Sequence, residues 1–128
     1  MAQQVTPYLL YEDGEAAIEF LARAFGFREV ERTIGGAGGL HAELEVPGGG
    51  RVYVGQPPEG FRNPAAVGRT SLVFVLLDGV DAHCERARAE GAEIVEEPTD
   101  LTAAGHRRYG CRDPQGHEWF FAQPLDNR

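Results

Sequence analysis

Polar side chains that could bind a metal or transfer a proton alternate with apolar ones in the segment HAELEV. His41, Glu43 and Glu45 stand at every second position. Successive side chains of a β-strand point to opposite faces, so these three groups would share one face. His41 and Glu43 could then ligate a divalent metal or act as an acid/base pair. The alternation is also typical of a half-exposed strand without such a function, and the sequence favours that interpretation.

A second set of candidate residues lies near the end of the chain, in the segment EWFF. On a strand, Glu118 and Phe120 would share a face, whereas Trp119 would point the other way, into the core under a helix. A carboxylate beside an aromatic ring could bind a cationic ligand or serve as a general acid or base; the alternatives are a rim residue or an ion pair. The preceding residues 113–116, DPQG, are typical of a turn.

The chain repeats its own sequence at an offset of 65 residues, as from Asp13 to Asp78. With two further residues in the later turn, Gln56-Pro57 also matches Gln123-Pro124. The other matches pair Gly14 with Gly79, Ala17 with Ala82, Arg23-Ala24 with Arg88-Ala89, Gly26 with Gly91, Glu31 with Glu96, and His41 with His106. This pattern indicates an internal duplication, in which each half buries its apolar face against the other.

Each half predicts a strand, a helix and three more strands. An aspartate that can cap the helix precedes it, Asp13 in the first half and Asp78 or Asp81 in the second. The predicted strands cover residues 5–11, 28–34, 40–46 and 51–55, then 71–77, 93–97, 106–112 and 117–122. The sequence therefore predicts an α+β fold of two βαβββ modules. Their curved mixed sheets, with the helices outside, would enclose a cleft. One domain over 1–128 would hold module 1 (about 1–59), a linker (about 60–68) and module 2 (about 69–128).

Composition excludes several classes of protein. The longest apolar run, residues 72–77, is far shorter than the roughly 18 residues of a membrane helix. The N-terminal residues carry no export pattern, so we expect a cytoplasmic protein. A formal net charge of −8 argues against a nucleic-acid partner. Cys84 and Cys111 lack the spacing of a zinc site and are predicted to be free, buried thiols.

Four segments carry a resemblance to a known family: residues 11–26 (YEDGEAAIEFLARAFG), 41–44 (HAEL), 80–92 (VDAHCERARAEGA) and 113–123 (DPQGHEWFFAQ). Over residues 6–124 the chain resembles the glyoxalase, bleomycin-resistance and extradiol-dioxygenase superfamily, the vicinal oxygen chelate proteins. The HAEL strand and the DPxGHxW ending are most similar to its PhnB-like branch. The resemblance implies paired βαββ-type modules around a cleft, often in dimers, and a divalent metal in the members that are enzymes.

The metal ligands of that superfamily lie near the start of the first strand and on the last strand of each module. The corresponding residues here are Thr6 and Tyr53 in the first module, and Ser71 or Leu72 and then Phe120 in the second. None is a standard His, Asp, Glu or Cys ligand, although Tyr or Ser could serve weakly. The resemblance therefore implies a protein without a metal cofactor, and so without the Lewis acid of the enzymes.

These observations lead to one expected function and two alternatives. We expect a homodimer that binds, and sequesters, a planar or cationic natural product without a metal or other cofactor. The residues expected to line its cleft are Thr6, Tyr8, Tyr53, Phe74, Glu118 and Phe120. The first alternative is a metal-dependent lyase, isomerase or dioxygenase with displaced ligands drawn from His41, Glu43, His106 and Glu118. The second is an interaction or regulatory module with a vestigial cleft.

Overall fold

Each half of the chain forms a four-stranded mixed sheet with one long helix. The computed structural model describes residues 3, 5–34, 39–57 and 59–125. Module 1 consists of β1 (Tyr8–Leu10), α1 (Gly14–Phe25), β2 (Arg28–Ile34), β3 (Leu40–Glu45) and β4 (Arg51–Gln56). Module 2 consists of β5 (Val73–Leu76), α3 (Val80–Ala89), β6 (Glu93–Leu101), β7 (His106–Arg112) and β8 (Glu118–Pro124), and the short helix α2 (Pro64–Val67) lies between the modules.

The two sheets have the same topology. Their strand orders are β1-β4-β3-β2 and β5-β8-β7-β6. The first and last strands of each module pair in parallel, and the other neighbours pair antiparallel. The predicted α+β fold of two βαβββ modules is therefore confirmed. Among the described residues, no helix is long and apolar enough to cross a membrane.

The two long helices begin with different caps. Asp13 accepts a hydrogen bond from the first turn of α1 at 3.0 Å, as predicted. The predicted cap of α3 by Asp78 or Asp81 was wrong, because Gly79 occupies the cap position with φ 71° and provides no side chain. Asp81 instead lies in the first turn, where it pairs with Arg107 at 3.0 Å.

A repeated glutamine ties the last strand of each module to the start of its helix. The Gln56 side-chain oxygen accepts the Gly14 backbone N–H at 2.7 Å. The Gln123 oxygen accepts the Val80 backbone N–H, also at 2.7 Å. The first N–H groups of a helix have no partner within the helix, so each glutamine satisfies one of them. This contact gives the repeated Gln-Pro pair a structural role.

The buried core joins the two modules through their helices. Phe25, at the end of α1, packs against Trp119 and Phe121 of β8, with ring centroids 5.2 and 4.8 Å apart. All three side chains are buried. The two helices therefore meet where the modules join, and each packs on one face of its own sheet. Cys84 and Cys111 are free and buried, as predicted.

A histidine on α3 links both helices inside this junction. The His83 Nε2–H donates to the backbone carbonyl of Phe25 at 3.1 Å, because a carbonyl can only accept. The other ring nitrogen, Nδ1, then accepts from the Tyr109 hydroxyl at 2.6 Å. Burial lowers the pKa of His83, although its bond to the carbonyl opposes the shift. His83 is therefore held as a neutral ring in the folded protein.

A buried carboxylate fastens the modules at their other end. Asp113 is 4% exposed, and its Oδ2 accepts from the Tyr11 hydroxyl at 2.6 Å and from the Trp119 indole N–H at 3.1 Å. Its Oδ1 accepts from the backbone N–H groups of Gln115 and His117 at 3.2 and 3.0 Å. Burial first, and the Asp113 charge second, raise the pKa of Tyr11 well above its ordinary value. The DPQG segment is thus an anchor between modules as well as a turn.

The segment between the modules is anchored to both of them. Asn63 exchanges two hydrogen bonds with Glu12 of module 1, at 2.8 and 2.7 Å. The Ala65 backbone N–H donates to the Gln115 carbonyl of module 2 at 3.2 Å. A Cβ added to Gly116 would lie 2.3 Å from the Ala65 nitrogen, so only glycine permits this contact. The helix α2 that makes these contacts was not predicted.

Candidate functional site

Five side chains on the helix-free face of module 1 form one network. The Tyr8 hydroxyl lies 2.7 Å from Nδ1 of His41, and Nε2 of the same ring lies 3.4 Å from a Glu43 carboxylate oxygen. The other Glu43 oxygen accepts from Arg51 at 2.9 Å. The Tyr53 ring stands edge-on to Tyr8 and His41, with centroids 5.6 and 5.2 Å away. The predicted shared face of His41 and Glu43 is confirmed.

A glycine on β4 determines where Tyr8 lies. A Cβ added at Gly55 would be 2.7 Å from a ring carbon of Tyr8 and 3.2 Å from its hydroxyl oxygen. Gly55 does not have a positive φ, so its importance is space rather than backbone freedom. The absent side chain lets the tyrosine lie across the strand and reach His41. The sequence analysis missed Gly55, although a glycine inside a strand often marks such a close approach.

Phe120 has the same kind of support on the helix-free face of module 2. It pairs with Gly110 across β7 and β8, and a Cβ at Gly110 would lie within 2.7–3.2 Å of three ring carbons. Phe74 is its register partner on β5. The Arg108 guanidinium lies 5.1 Å from the Phe120 ring centroid, within cation–π range. Phe74 and Phe120 thus form an aromatic surface bordered by an arginine.

The charged groups around this surface are paired with one another. Glu118 accepts from Arg69 at 2.9 Å, and Glu96 accepts from Arg108 at 2.9 Å. Of the roles considered for Glu118, the structure shows the ion pair. His106 lies against Phe74, with ring centroids 5.4 Å apart. Its repeat mate His41 contacts a tyrosine hydroxyl instead, so the two histidines have diverged in their surroundings.

The structure brings the six predicted lining residues together in groups. Tyr8 contacts Tyr53, Phe74 neighbours Phe120, and Glu118 lies on the strand of Phe120. Thr6 precedes β1 and lines a cavity of about 620 Å³ with Tyr53. Phe74 lines a different cavity, and Tyr8 a third. The cavities of Tyr53 and Phe74 are neighbours, because both are lined by Val46, residues 48–50 and Arg51.

These modules and their topology define a protein class. The chain belongs to the glyoxalase/bleomycin resistance protein/dioxygenase superfamily, whose family model matches residues 3–121. It is similar to TioX from Micromonospora sp. ML1, with 36% identity over 97% of this chain and all of that one, at a TM-score of 0.74. An uncharacterised Mycobacterium tuberculosis protein is 32% identical over 94% of this chain and 74% of its own length. A superfamily domain from Frankia sp. EAN1pec shares the fold at a TM-score of 0.80, with 14% identity over 98% and 99% of the chains.

The residues at the superfamily's metal positions do not fit a divalent cation. Phe120 has no donor atom, and the cationic group of Arg108 lies over its ring. Both ring nitrogens of His41 already face partners, and Glu43 is paired with Arg51. Within residues 5–34, 39–57 and 59–125, no group of three or more His, Cys, Asp or Glu side chains is placed to hold a metal ion. The donor set instead offers aromatic surface, a phenol and an imidazole.

Proposed function

We propose that the protein binds a planar organic molecule without a metal, by stacking it on the aromatic side chains of its helix-free sheet faces. The observation that carries this proposal is the Phe120 ring, which lies across Gly110 beside Phe74 where the superfamily's enzymes have a metal-binding carboxylate. Phe120 is only half-buried, and Phe74 is 46% exposed, so both rings can still bury surface against a ligand. Sequestration of the ligand is the corresponding biological role.

The charges around Phe120 favour a neutral or anionic planar ligand over a cationic one. The Glu118 carboxylate is neutralised by Arg69, and Arg108 occupies a cation–π position beside the ring. A cationic ligand would have to compete with this arginine for the ring and with Arg69 for the carboxylate. The proposed ligand is therefore planar, as expected from the sequence, but neutral or negatively charged instead of cationic.

Three planar fluorescent probes of different charge test this function. We expect the neutral Prodan or the anionic 1-anilinonaphthalene-8-sulfonate to bind more tightly than the cationic acridine orange. Phe120→Ala should weaken the tighter probe by about 1–3 kcal/mol, or roughly 5- to 150-fold, because it removes the stacking surface. Ile34→Ala is the control, since Ile34 is exposed and shares the opposite sheet face with Leu40. Unchanged affinity in Phe120→Ala would refute the site.

The same titration distinguishes metal-free binding from the metal-dependent alternative. Probe binding should be unaffected by prior dialysis against a chelator, and the dialysed protein should retain its affinity without added manganese, iron, nickel or zinc. A stoichiometric ion whose removal abolishes binding would favour the enzyme with displaced ligands. Loss of that ion in His41→Ala or Glu43→Ala would identify the ligands.

We also propose that two copies of the chain pair through these sheet faces. Tyr8, Leu10, Phe74 and Leu76 are apolar or aromatic and are 38–61% exposed on β1 and β5. Contiguous apolar surface of this kind is typical of an interface. Pairing would place module 1 of one copy over module 2 of the other and close the cleft that one chain leaves open. Leu76→Asp should give monomers in sedimentation experiments, Ile34→Asp should not, and a monomeric parent protein would refute the pairing.

A further inference from the structure

The network on module 1 has the geometry of a proton relay. A carboxylate can only accept hydrogen bonds, so the His41 nitrogen that faces Glu43, Nε2, carries the proton. The neutral ring then has a bare Nδ1, and the Tyr8 hydroxyl must donate to it across 2.7 Å. The opposite tautomer would direct the Nε2 lone pair at a carboxylate. The Tyr8 oxygen is left with lone pairs that can accept from a ligand.

Carboxylates and guanidinium groups of β2, β3 and β4 surround the relay. The Glu43 side chain is 17% exposed and lies 2.9 Å from the Arg51 guanidinium. The neighbouring β2 contributes Glu31 opposite Glu43, and β3 contributes Glu45 at the next position on the same face. Arg51 pairs with Glu43 and approaches Glu45 at 3.9 Å, and Arg28 forms an ion pair with Glu45. A proton that passed to Nδ1 would make the ring a cation whose Nε2 lies 3.4 Å from a Glu43 oxygen.

The accepting oxygen is held in place but remains open to a ligand. Tyr8 is 50% exposed, and its ring lies across Gly55 with no room for another side chain between them. Tyr53 stands edge-on beside both Tyr8 and His41 and forms one wall. A flat ligand packed against Tyr53 would bring a ring substituent to the Tyr8 hydroxyl.

We propose that Tyr8, His41 and Glu43 bind hydroxyl-bearing planar ligands by taking the hydroxyl proton, so that the ligand is held as its oxyanion. This inference rests on the proposed function and names its ligand class as aromatic compounds with an acidic hydroxyl. The ligand O–H bond breaks and its proton forms a new O–H bond on Tyr8. The original Tyr8 proton passes to Nδ1 of His41, which becomes an imidazolium beside Glu43. No electrons are transferred, and the new Tyr8 O–H donates to the ligand oxyanion.

The probe for this proposal is 7-hydroxycoumarin, whose neutral and anionic forms have different excitation bands. Titration with pH in a chelator-containing buffer measures the acid dissociation constant of the bound probe. We expect this constant to be at least about tenfold larger than that of the free probe. Tyr8→Phe, which keeps the ring, and His41→Gln, which cannot take a proton, should bind the probe but abolish the increase. Glu19→Gln is the control, because it removes an exposed carboxylate on α1 that has no part in the relay.

Each outcome decides the proposal. A bound probe that ionises like the free one, or an increase that survives in His41→Gln, would overturn the relay while leaving the stacking function intact. Failure of 7-hydroxycoumarin to bind while Prodan binds would overturn the ligand class. Failure of every planar probe would overturn the proposed function itself. In the protein without ligand, the ¹⁵N chemical shifts of the His41 ring should show the Nε2–H tautomer. The Nδ1 shift should change in Tyr8→Phe. Observation of the Nδ1–H tautomer would also overturn the relay.

Discussion

Replacing Asp113 with asparagine should be far more damaging than its small change in shape suggests. Four donors converge on the two carboxylate oxygens: the Tyr11 hydroxyl and the Trp119 indole on Oδ2, and the backbone N–H groups of Gln115 and His117 on Oδ1. An amide has one oxygen, so in either orientation two donors lose their acceptor and face an NH₂ group. A buried donor without a partner costs about 1–3 kcal/mol, so we expect a loss of about 2–6 kcal/mol.

Tyr11→Phe is the matched variant, since it removes one donor from the same site. Tyr11 is 1% exposed, and a hydrogen bond to a charged group contributes about 1.5–3 kcal/mol. In the double variant, the introduced amide can turn its NH₂ toward the introduced phenyl ring and its oxygen toward both backbone N–H groups. Only the Trp119 N–H is then left without an acceptor. The double variant should therefore lose less than the sum of the single losses, by about 1–2 kcal/mol.

Urea denaturation followed by fluorescence of Trp119, the one tryptophan in the sequence, measures these losses. With a denaturant dependence of about 2 kcal/mol per molar, the midpoint should fall by about 1 M for Tyr11→Phe and about 2 M for Asp113→Asn. If Asp113→Asn costs no more than Tyr11→Phe, or if the two losses simply add, the four-donor account of this site is wrong.

Three further predictions concern a histidine, two thiols and a glycine. Because burial lowers the pKa of His83, the free energy of unfolding should be greatest above about pH 6.5 and should fall as the pH drops toward the lower folded-state pKa. This loss should shrink in His83→Gln, as measured by denaturation at several pH values; an unchanged pH dependence would contradict it. Burial also raises the pKa of Cys84 and Cys111. A thiol reagent such as dithionitrobenzoate should therefore label neither cysteine in the native protein and both cysteines in urea. Rapid labelling of the native protein would contradict the assignment of both thiols as buried. Gly110→Ala should displace the Phe120 ring and weaken the binding of planar probes severalfold. If the new methyl group clashes with that ring, adding Phe120→Leu to Gly110→Ala should restore stability, as measured by thermal unfolding.

Much of the fold could be predicted because the relevant signals are local. The apolar stripe of α1 and its Asp13 cap depend on residues within a few positions of each other. The shared face of His41 and Glu43 follows from the period of a strand. Because the sequence repeats, the strand, helix and three strands predicted for the first half were also predicted for the second. These features need no knowledge of how distant segments meet.

The arrangement of the modules and the surroundings of the candidate residues could not be predicted in this way. Glu118 pairs with Arg69, which lies 49 residues earlier in the chain, and no local pattern connects them. Phe25 likewise packs on Trp119 of the other module, far away in the sequence. Gly55 and Gly110 act by making room for rings on other strands, so their role appears only when those strands are paired.

The repeated glutamine has a consequence for how the chain folds. Gln56 closes module 1 over 42 residues of sequence, and Gln123 closes module 2 over 43. Each half can therefore complete its own sheet and helix start through contacts of modest sequence separation, which fold faster than distant ones. The bond from Tyr11 to Asp113 spans 102 residues and can form only when two assembled halves meet. Folding should thus proceed by independent closure of the modules followed by their docking, with the contacts of Asp113 formed last.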